Sequence, residues 1–223
     1  MPTVRPKMEK VARFALVFLL FAAPAAAQGP GRFSLFGGFS YTNYGPVFPN
    51  PPAPIPPGPR HSLEGWNFSL EGKIVPFLGV VADFSGHYGN ETTGVSCLFT
   101  IRSSCGFDNQ EIHLYAFQLG PQLSLSLGRF APFAHALAGG AHVFRPVSCG
   151  CVLPNGQPPP NFAGDSFAYT VGGGLDYRIS TRRFYIRAQA DALHTRFSYP
   201  IGIGGARTGK TSLRLSAGLV FHF

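Results

Sequence analysis

The fold of this chain is decided by its final stretch, Leu213-Arg-Leu-Ser-Ala-Gly-Leu-Val-Phe-His-Phe223. In an extended strand, side chains two residues apart point to the same face. One face of this segment is apolar: Leu213, Leu215, Ala217, Leu219, Phe221 and Phe223. The other is polar or small, with Val220 as the exception: Ser212, Arg214, Ser216, Gly218 and His222. The segment is therefore predicted to be a strand between an apolar and a polar environment, ending on an aromatic residue.

The amino-terminal residues have the organisation of a secretion signal. Basic residues (Arg5, Lys7, Lys10 and Arg13) precede an apolar run over residues 14–23, and Ala25-Ala-Ala27 offers a cleavage site before Gln28. The run is shorter than the roughly 20 residues that a spanning helix needs, which favours a cleaved signal peptide at 1–27 over a membrane anchor. Translation from Met1 and from Met8 both stay open, since either start leaves a basic segment. We expect an exported domain over residues 28–223.

The composition of residues 28–223 fits a barrel in a membrane. Lys plus Arg number 14 against 9 Asp plus Glu, and apolar residues are spread at period two rather than gathered in blocks. Lipid offers the backbone no hydrogen bonds, so strands can cross it only as a closed cylinder. The basic excess is scattered, and an exported chain does not routinely meet nucleic acid, so a nucleic-acid partner is not expected.

Eight strand-like segments of barrel-spanning length follow one another. Their predicted bounds are 32–44, 63–75, 78–90, 112–127, 132–145, 166–180, 184–197 and 211–223. Short connections at 76–77, 128–131 and 181–183 alternate with long ones rich in Gly, Pro, Ser and Asn. Short periplasmic turns and long outer loops are typical of outer-membrane barrels. The prediction is an all-β, eight-stranded antiparallel up-and-down transmembrane β-barrel, with a secreted β-sandwich as the alternative fold.

Aromatic residues near the strand ends suggest two interfacial girdles. The outer one is predicted to contain Tyr41, Tyr88, Tyr169 and Phe197, and the inner one Phe130, Tyr177, Phe184 and Phe223.

The polar faces of the predicted strands carry charges of both signs. They are Glu71, Asp83, Asp176 and Asp191 against Lys73, Arg178, Arg187 and Arg214. A selectivity filter would favour one sign. A balanced set inside a narrow eight-stranded cylinder indicates an internal salt-bridge network, in which Arg187, Asp191 and Arg214 are expected to be direct partners. A small porin-like pore is the alternative.

The four cysteines, Cys97, Cys105, Cys149 and Cys151, all fall in predicted loops. Export favours disulfides, and four cysteines allow three pairings. Cys97–Cys105 would staple its own loop, but a bond between Cys149 and Cys151 would be strained, so two cross-loop bridges stay open. Neither a metal site nor a cofactor is expected.

No catalytic motif is found: the chain has no G-x-S-x-G, no H-E-x-x-H and no Gly-rich phosphate loop after a strand. His87, His113, His142 and His194 lie near outer strand ends, and Asp83, Ser85 and His87 share a face. Inward polar packing explains them more simply than an outer-membrane lipid-modifying hydrolase, which is the second alternative function. Arg196, Arg207 and Lys210 cluster near the last loop, where lipopolysaccharide phosphates are a conceivable contact and solvated surface charge is the simpler interpretation.

The mature chain resembles the small OmpA-like and OmpX-like outer-membrane β-barrels. The alternating strands carry the resemblance, above all Gly172-Gly-Gly-Leu-Asp-Tyr177, Ile186-Arg-Ala-Gln-Ala-Asp191 and residues 213–223. It implies location in the bacterial outer membrane, in contact with its lipid. It also implies recognition of the last strand (Leu219, Phe221 and Phe223) by the barrel-assembly machinery, and a structural or adhesive role. Extracellular ligands would bind at loops 45–62, 90–110, 146–165 and 198–210.

Overall fold

A computed structural model describes residues 32–44, 61–94, 107–145, 162–179, 183–198 and 207–223. Its strands are β1 Phe33–Tyr44, β2 His61–Val75, β3 Leu78–Gly94, β4 Phe107–Ser124, β5 Phe130–Arg145, β6 Phe162–Arg178, β7 Phe184–Ser198 and β8 Arg207–His222. Each pairs antiparallel with its neighbours in the sequence, and β1 pairs with β8 to close an eight-stranded barrel. The predicted fold is confirmed. No helix in the described ranges is long and apolar enough to span a bilayer.

The two ends of the barrel differ in their connections. The end that holds the connections β2–β3, β4–β5 and β6–β7 is called the turn end, and the opposite one the loop end. The β4–β5 hairpin closes through paired backbone hydrogen bonds between Leu127 and Phe130. Gly128, at the tip, has a φ of 68°, a conformation that glycine adopts without steric cost.

The strands extend further towards the loop end than the alternation predicted. β3 continues to Gly94 and β4 begins at Phe107, and the register pairs these two residues. β6 and β8 also begin four residues earlier than predicted, at Phe162 and Arg207. These added residues are mostly polar, and strand ends beyond an apolar belt need no alternation. The predicted loop bounds 90–110, 146–165 and 198–210 are therefore corrected to 95–106, 146–161 and 199–206.

The outer surface of the barrel is a belt of exposed apolar side chains from all eight strands. The outward-facing side chains include Phe39, Phe68, Phe84, Phe117, Ala136 and Leu215, and the residues that alternate with them along each strand point inward. Six of the eight predicted girdle aromatics are exposed on this surface: Tyr88, Phe130, Tyr169, Tyr177, Phe184 and Phe223. Phe197 was assigned to the wrong face: it is 1% exposed and points into the barrel, in step with Asp191, Leu193 and Thr195 on β7.

Inward-facing glycines let neighbouring strands approach closely. Gly38 on β1 lies opposite Gly218 on β8, where a Cβ on either residue would meet the backbone of the other strand. At Gly172 a Cβ would meet the carboxylate of Asp191. Glycine at these positions leaves room for the strand crossing and for large inward side chains.

Candidate functional site: the barrel lumen

Side chains from all eight strands are buried in the lumen. Alternation sends the polar members of each strand inward, where they are buried, and Arg214 is 0% exposed. A buried charge costs several kcal/mol unless it is paired and hydrogen-bonded. The contacts of these groups therefore decide what the lumen can do.

Arg214 is the centre of a network that crosses the barrel. Its Nη1 donates hydrogen bonds to Asp83 Oδ1 at 2.8 Å and to Ser85 Oγ at 3.1 Å. Its Nε donates to Asp191 Oδ2 at 2.9 Å, and Nη2 lies 2.7 Å from the same oxygen. Because Asp83 is on β3 and Arg214 on β8, this guanidinium joins strands that are not neighbours in the sheet.

Two amide side chains close the network into a ring. Asn67 Nδ2 donates to Asp83 Oδ2 at 2.8 Å, and Gln189 Nε2 donates to Asn67 Oδ1 at 3.1 Å and to Asp191 Oδ2 at 3.2 Å. The second oxygen of Asp191 lies 2.9 Å from His135 Nε2. Sequence reasoning named neither amide nor His135 as a member of the site, although all three share the inward face of their strands. Which of them meet across the lumen depends on the register and tilt of the barrel.

Arg187 and Asp176 form a second buried ion pair. Arg187 Nε and Nη2 donate to the two carboxylate oxygens of Asp176 at 2.7 and 2.8 Å. The guanidinium carbon lies 4.3 Å from the centroid of the Phe133 ring and 5.2 Å from that of Phe36. Arg187 was predicted to pair with Asp191; it pairs with Asp176 because the β6–β7 register sets those two residues directly opposite.

The remaining predicted lumen charges lie towards the turn end. Glu71 is buried and accepts a hydrogen bond from Ser34 Oγ at 2.9 Å. Lys73 and Arg178 are half-buried, and neither takes part in the ion pairs found among the described residues. The eight charges are thus divided between two paired clusters, the buried Glu71 and the two half-buried cations Lys73 and Arg178.

An apolar layer fills the lumen near the loop end, which the alternation of polar and apolar faces did not predict. It is called the outer apolar layer here and consists of Tyr44, Leu63, Ile112, Leu114, Ala116, Ala141, Val143, Ala168, Leu193 and Phe197. On β7 the odd-numbered residues face inward throughout, and they change from Arg187, Gln189 and Asp191 to the apolar Leu193 and Phe197. Carrying the parity of Asp191 forward along β7 would have revealed this layer.

The candidate catalytic residues fall into two groups. Ser40 Oγ lies 2.9 Å from His87 Nε2, and both residues are fully buried in the lumen. His113, His142 and His194 are partly exposed, and their side chains contact Glu111, Asp165 and Thr211. In the described part of the chain, neither group joins a serine, a histidine and an acid in one relay.

The other predicted features are the signal peptide, the four cysteines and the end of β8. Residues 1–27 and the four cysteines lie outside the described residues. Leu219 and Phe223 are exposed on the outer surface, and the Phe223 ring stacks on those of Phe33 and Phe221. Among the described residues, no group of three or more His, Cys, Asp or Glu is placed to hold a metal ion.

Comparison with known proteins places the architecture. No family model matches the sequence, and no curated protein does. The solved structure of Neisserial surface protein A is similar, with a TM-score of 0.57 at 12% identity, over 88% of this chain and 100% of that one. Ail of Yersinia pestis, solved with the heparin analogue sucrose octasulfate, has a TM-score of 0.49 at 14% identity, over 86% of this chain and 100% of that one. The amino-terminal barrel of Pseudomonas aeruginosa OprF has a TM-score of 0.45 at 11% identity, over 87% of this chain and 100% of that one. The chain has the fold of the small eight-stranded outer-membrane barrels.

Proposed function

We propose that this protein is an outer-membrane barrel with a lumen closed by its own side chains, and that it has a structural or extracellular interaction role. The observation that carries the proposal is the filling of the lumen by two layers of different chemistry. The ring around Arg214 occupies the middle of the barrel, and the outer apolar layer occupies the loop end.

The outer surface supports a position in lipid. Large apolar side chains cover it, and their exposure to water would be costly at about 25 cal/mol per Å² of apolar surface. Monomeric soluble proteins rarely expose contiguous apolar patches of more than a few hundred Å². The belt therefore favours a bilayer as the solvent of this surface, and the fold favours the bacterial outer membrane.

A closed lumen leaves the loop end as the surface available to partners. The segments that join β1 to β2, β3 to β4, β5 to β6 and β7 to β8 (45–60, 95–106, 146–161 and 199–206) would face the cell exterior if the turn end faces the periplasm. The structurally similar Neisserial protein is named a surface protein, which agrees with this orientation. Membrane integrity and adhesion are the roles that such a barrel can serve without a catalytic or conducting centre.

Single-channel recording on the refolded full chain in planar bilayers tests the closed lumen. We expect no stable conductance steps, because an ion would have to displace a paired guanidinium and then cross an apolar layer. Stable steps in the unmodified protein would replace this proposal with that of a small pore. Heat-modifiable mobility of the same preparation checks that the barrel is folded.

The exposed end of β8 is proposed as the segment that the barrel-assembly machinery reads. Deleting Phe223 removes an aromatic side chain that stacks on Phe33 across the β1–β8 closure. Outer-membrane assembly in cells should fall while refolding of the purified chain persists. Unchanged assembly in cells would contradict this role for the terminus.

A further inference from the structure

Four buried polar atoms in the turn-end half of the lumen have no hydrogen-bond partner among the described residues. They are Glu71 Oε1, Gln122 Oε1, Ser124 Oγ and His135 Nδ1, and each belongs to a side chain of a residue that is at most 8% exposed. Folded proteins satisfy nearly all of their buried polar groups, so this concentration of unpaired atoms indicates a ligand from outside the chain. We propose that the four residues bind one small monovalent cation of the sodium class.

The register brings the four residues to one patch of the inner wall. Gln122 on β4 is directly opposite Gly79 on β3 and His135 on β5, and opposed residues on one face have Cβ atoms about 5 Å apart. Because Gly79 has no side chain, the Glu71 side chain reaches over it: a Cβ on Gly79 would lie 2.9 Å from Glu71 Oε1. Ser124 follows Gln122 by two residues and shares its inward face. The patch therefore extends from β2 to β5 with Gln122 at its centre.

The patch offers acceptors and a negative charge, which together favour a cation. Glu71 Oε2 accepts a hydrogen bond from Ser34 Oγ at 2.9 Å, so a neutral group is the donor to this carboxylate. His135 Nε2 lies 2.9 Å from Asp191 Oδ1, so the neutral imidazole carries its hydrogen on Nε2 and presents Nδ1 as an acceptor. A water molecule could satisfy two of the acceptors but would leave the buried charge of Glu71 uncompensated, whereas a cation meets both needs.

The number of carboxylates sets the charge of that cation. Ca²⁺ takes six to eight oxygen ligands, usually from several carboxylates, whereas this patch supplies the single carboxylate of Glu71. In the described ranges no group of three or more His, Cys, Asp or Glu is placed to hold a metal ion, which agrees with a site of mainly neutral ligands. Amide and hydroxyl oxygens beside one carboxylate are suited to an alkali ion, which can exchange its hydration shell for such oxygens.

Lys73 is the basic side chain that could neutralise Glu71 from within the chain. It lies two residues from Glu71 on β2 and is half-buried, and the ion pairs found among the described residues do not join the two. Its charge opposes the entry of a cation from the turn end. We therefore expect binding to be weak rather than tight.

Replacing sodium by N-methylglucamine at constant ionic strength tests the site, because this bulky cation cannot enter a patch that is so deeply buried. The readout is urea titration of the refolded full chain in uncharged lipid vesicles. Sodium at about ten times its dissociation constant should lower the ratio of unfolded to folded protein about tenfold relative to N-methylglucamine. Glu71→Gln should abolish this difference, and Gln122→Met should reduce it. Both salts are compared on the same variant, so a change in its overall stability does not affect the result.

Glu64→Gln is the matched control, since Glu64 is an exposed carboxylate on the same strand, and it should keep the full difference between the salts. Equal stability of the unmodified protein in both salts would overturn the site, as would an equal loss of the difference in the control. Sodium dependence that appears only after Lys73→Gln would make Lys73 the counter-ion and would also overturn it. Single-channel recording tests the closed lumen separately, so failure of the cation site is distinguishable from failure of the proposed function.

Discussion

Two regions of the barrel interior are packed according to different rules. The charged ring around Arg214 depends on direction, because each oxygen of Asp83 and Asp191 has a specific donor. The outer apolar layer depends on volume, because nine of its ten side chains are hydrocarbon; the tenth, Tyr44, also has Lys210 Nζ 4.9 Å from the centroid of its ring. Removing one charged member of the ring leaves another charge buried without a partner, whereas the outer apolar layer can partly collapse around a truncated side chain.

The same difference bears on the proposal that the lumen does not conduct. Paired charges alone can exchange partners and admit water, and an apolar constriction excludes water by dewetting. An ion would meet both barriers in series. A substitution that opens only one region should therefore not produce conduction. The two regions are better compared through the effect of substitutions on the free energy of unfolding.

Arg214→Met should give the largest effect. It leaves Asp83 and Asp191 buried beside each other without their shared cation, which should cost about 3–5 kcal/mol of the free energy of unfolding. Urea titration of the refolded barrel in lipid vesicles measures the loss. Adding Asp83→Asn and Asp191→Asn should recover part of it, because the buried charges are removed. A single substitution without measurable cost would show that the ring is not a structural element.

Leu193→Ala in the outer apolar layer should have the next largest effect. Leu193 is 1% exposed, and truncation of a buried leucine costs about 2–5 kcal/mol through lost transfer energy and a cavity. Leu213→Ala is the matched control, since Leu213 lies on the neighbouring strand and is exposed on the outer surface. A larger loss of unfolding free energy for Leu213→Ala than for Leu193→Ala would contradict the packed layer.

Gly172→Ala should disturb the ring without removing any of its members. The added Cβ would meet the Asp191 carboxylate, and overpacking of this kind costs about 1–3 kcal/mol. Gly140→Ala is the control, because a Cβ there meets only the Ser166 carbonyl oxygen, at 3.9 Å. Equal unfolding midpoints for the two variants would mean that the position of Asp191 is not constrained by Gly172.

The alternation in the sequence determined which residues face inward, and it did so for every predicted lumen charge. It did not determine which of them meet, because contacts across a barrel depend on register and tilt. Arg187 illustrates this: its partner is Asp176, directly opposite, and not the Asp191 of its own strand. The outer apolar layer was missed for a different reason. A polar inward face was assumed along the whole strand, whereas the parity of β7 carries Leu193 and Phe197 inward.

The smallest expected effect comes from the same substitution at two lumen threonines. One is Thr170, whose partner Gln118 lies opposite Asp83 of the ring, and the other is Thr195, beside Leu193 and Phe197 of the outer apolar layer. Thr170 Oγ1 donates to Gln118 Oε1 at 2.7 Å, so Thr170→Val should leave that buried amide oxygen unpaired and cost about 1–3 kcal/mol. Thr195 lies between Leu193 and Phe197 on the inward face of β7, and its Oγ1 has no hydrogen-bond partner among the described residues. Thr195→Val should therefore be neutral or stabilising by up to about 1 kcal/mol. In urea titration, a loss of unfolding free energy for Thr170→Val without a loss for Thr195→Val would show that hydrogen-bond direction matters beside the ring and volume in the outer layer. Equal losses would mean that Thr195 has a polar partner.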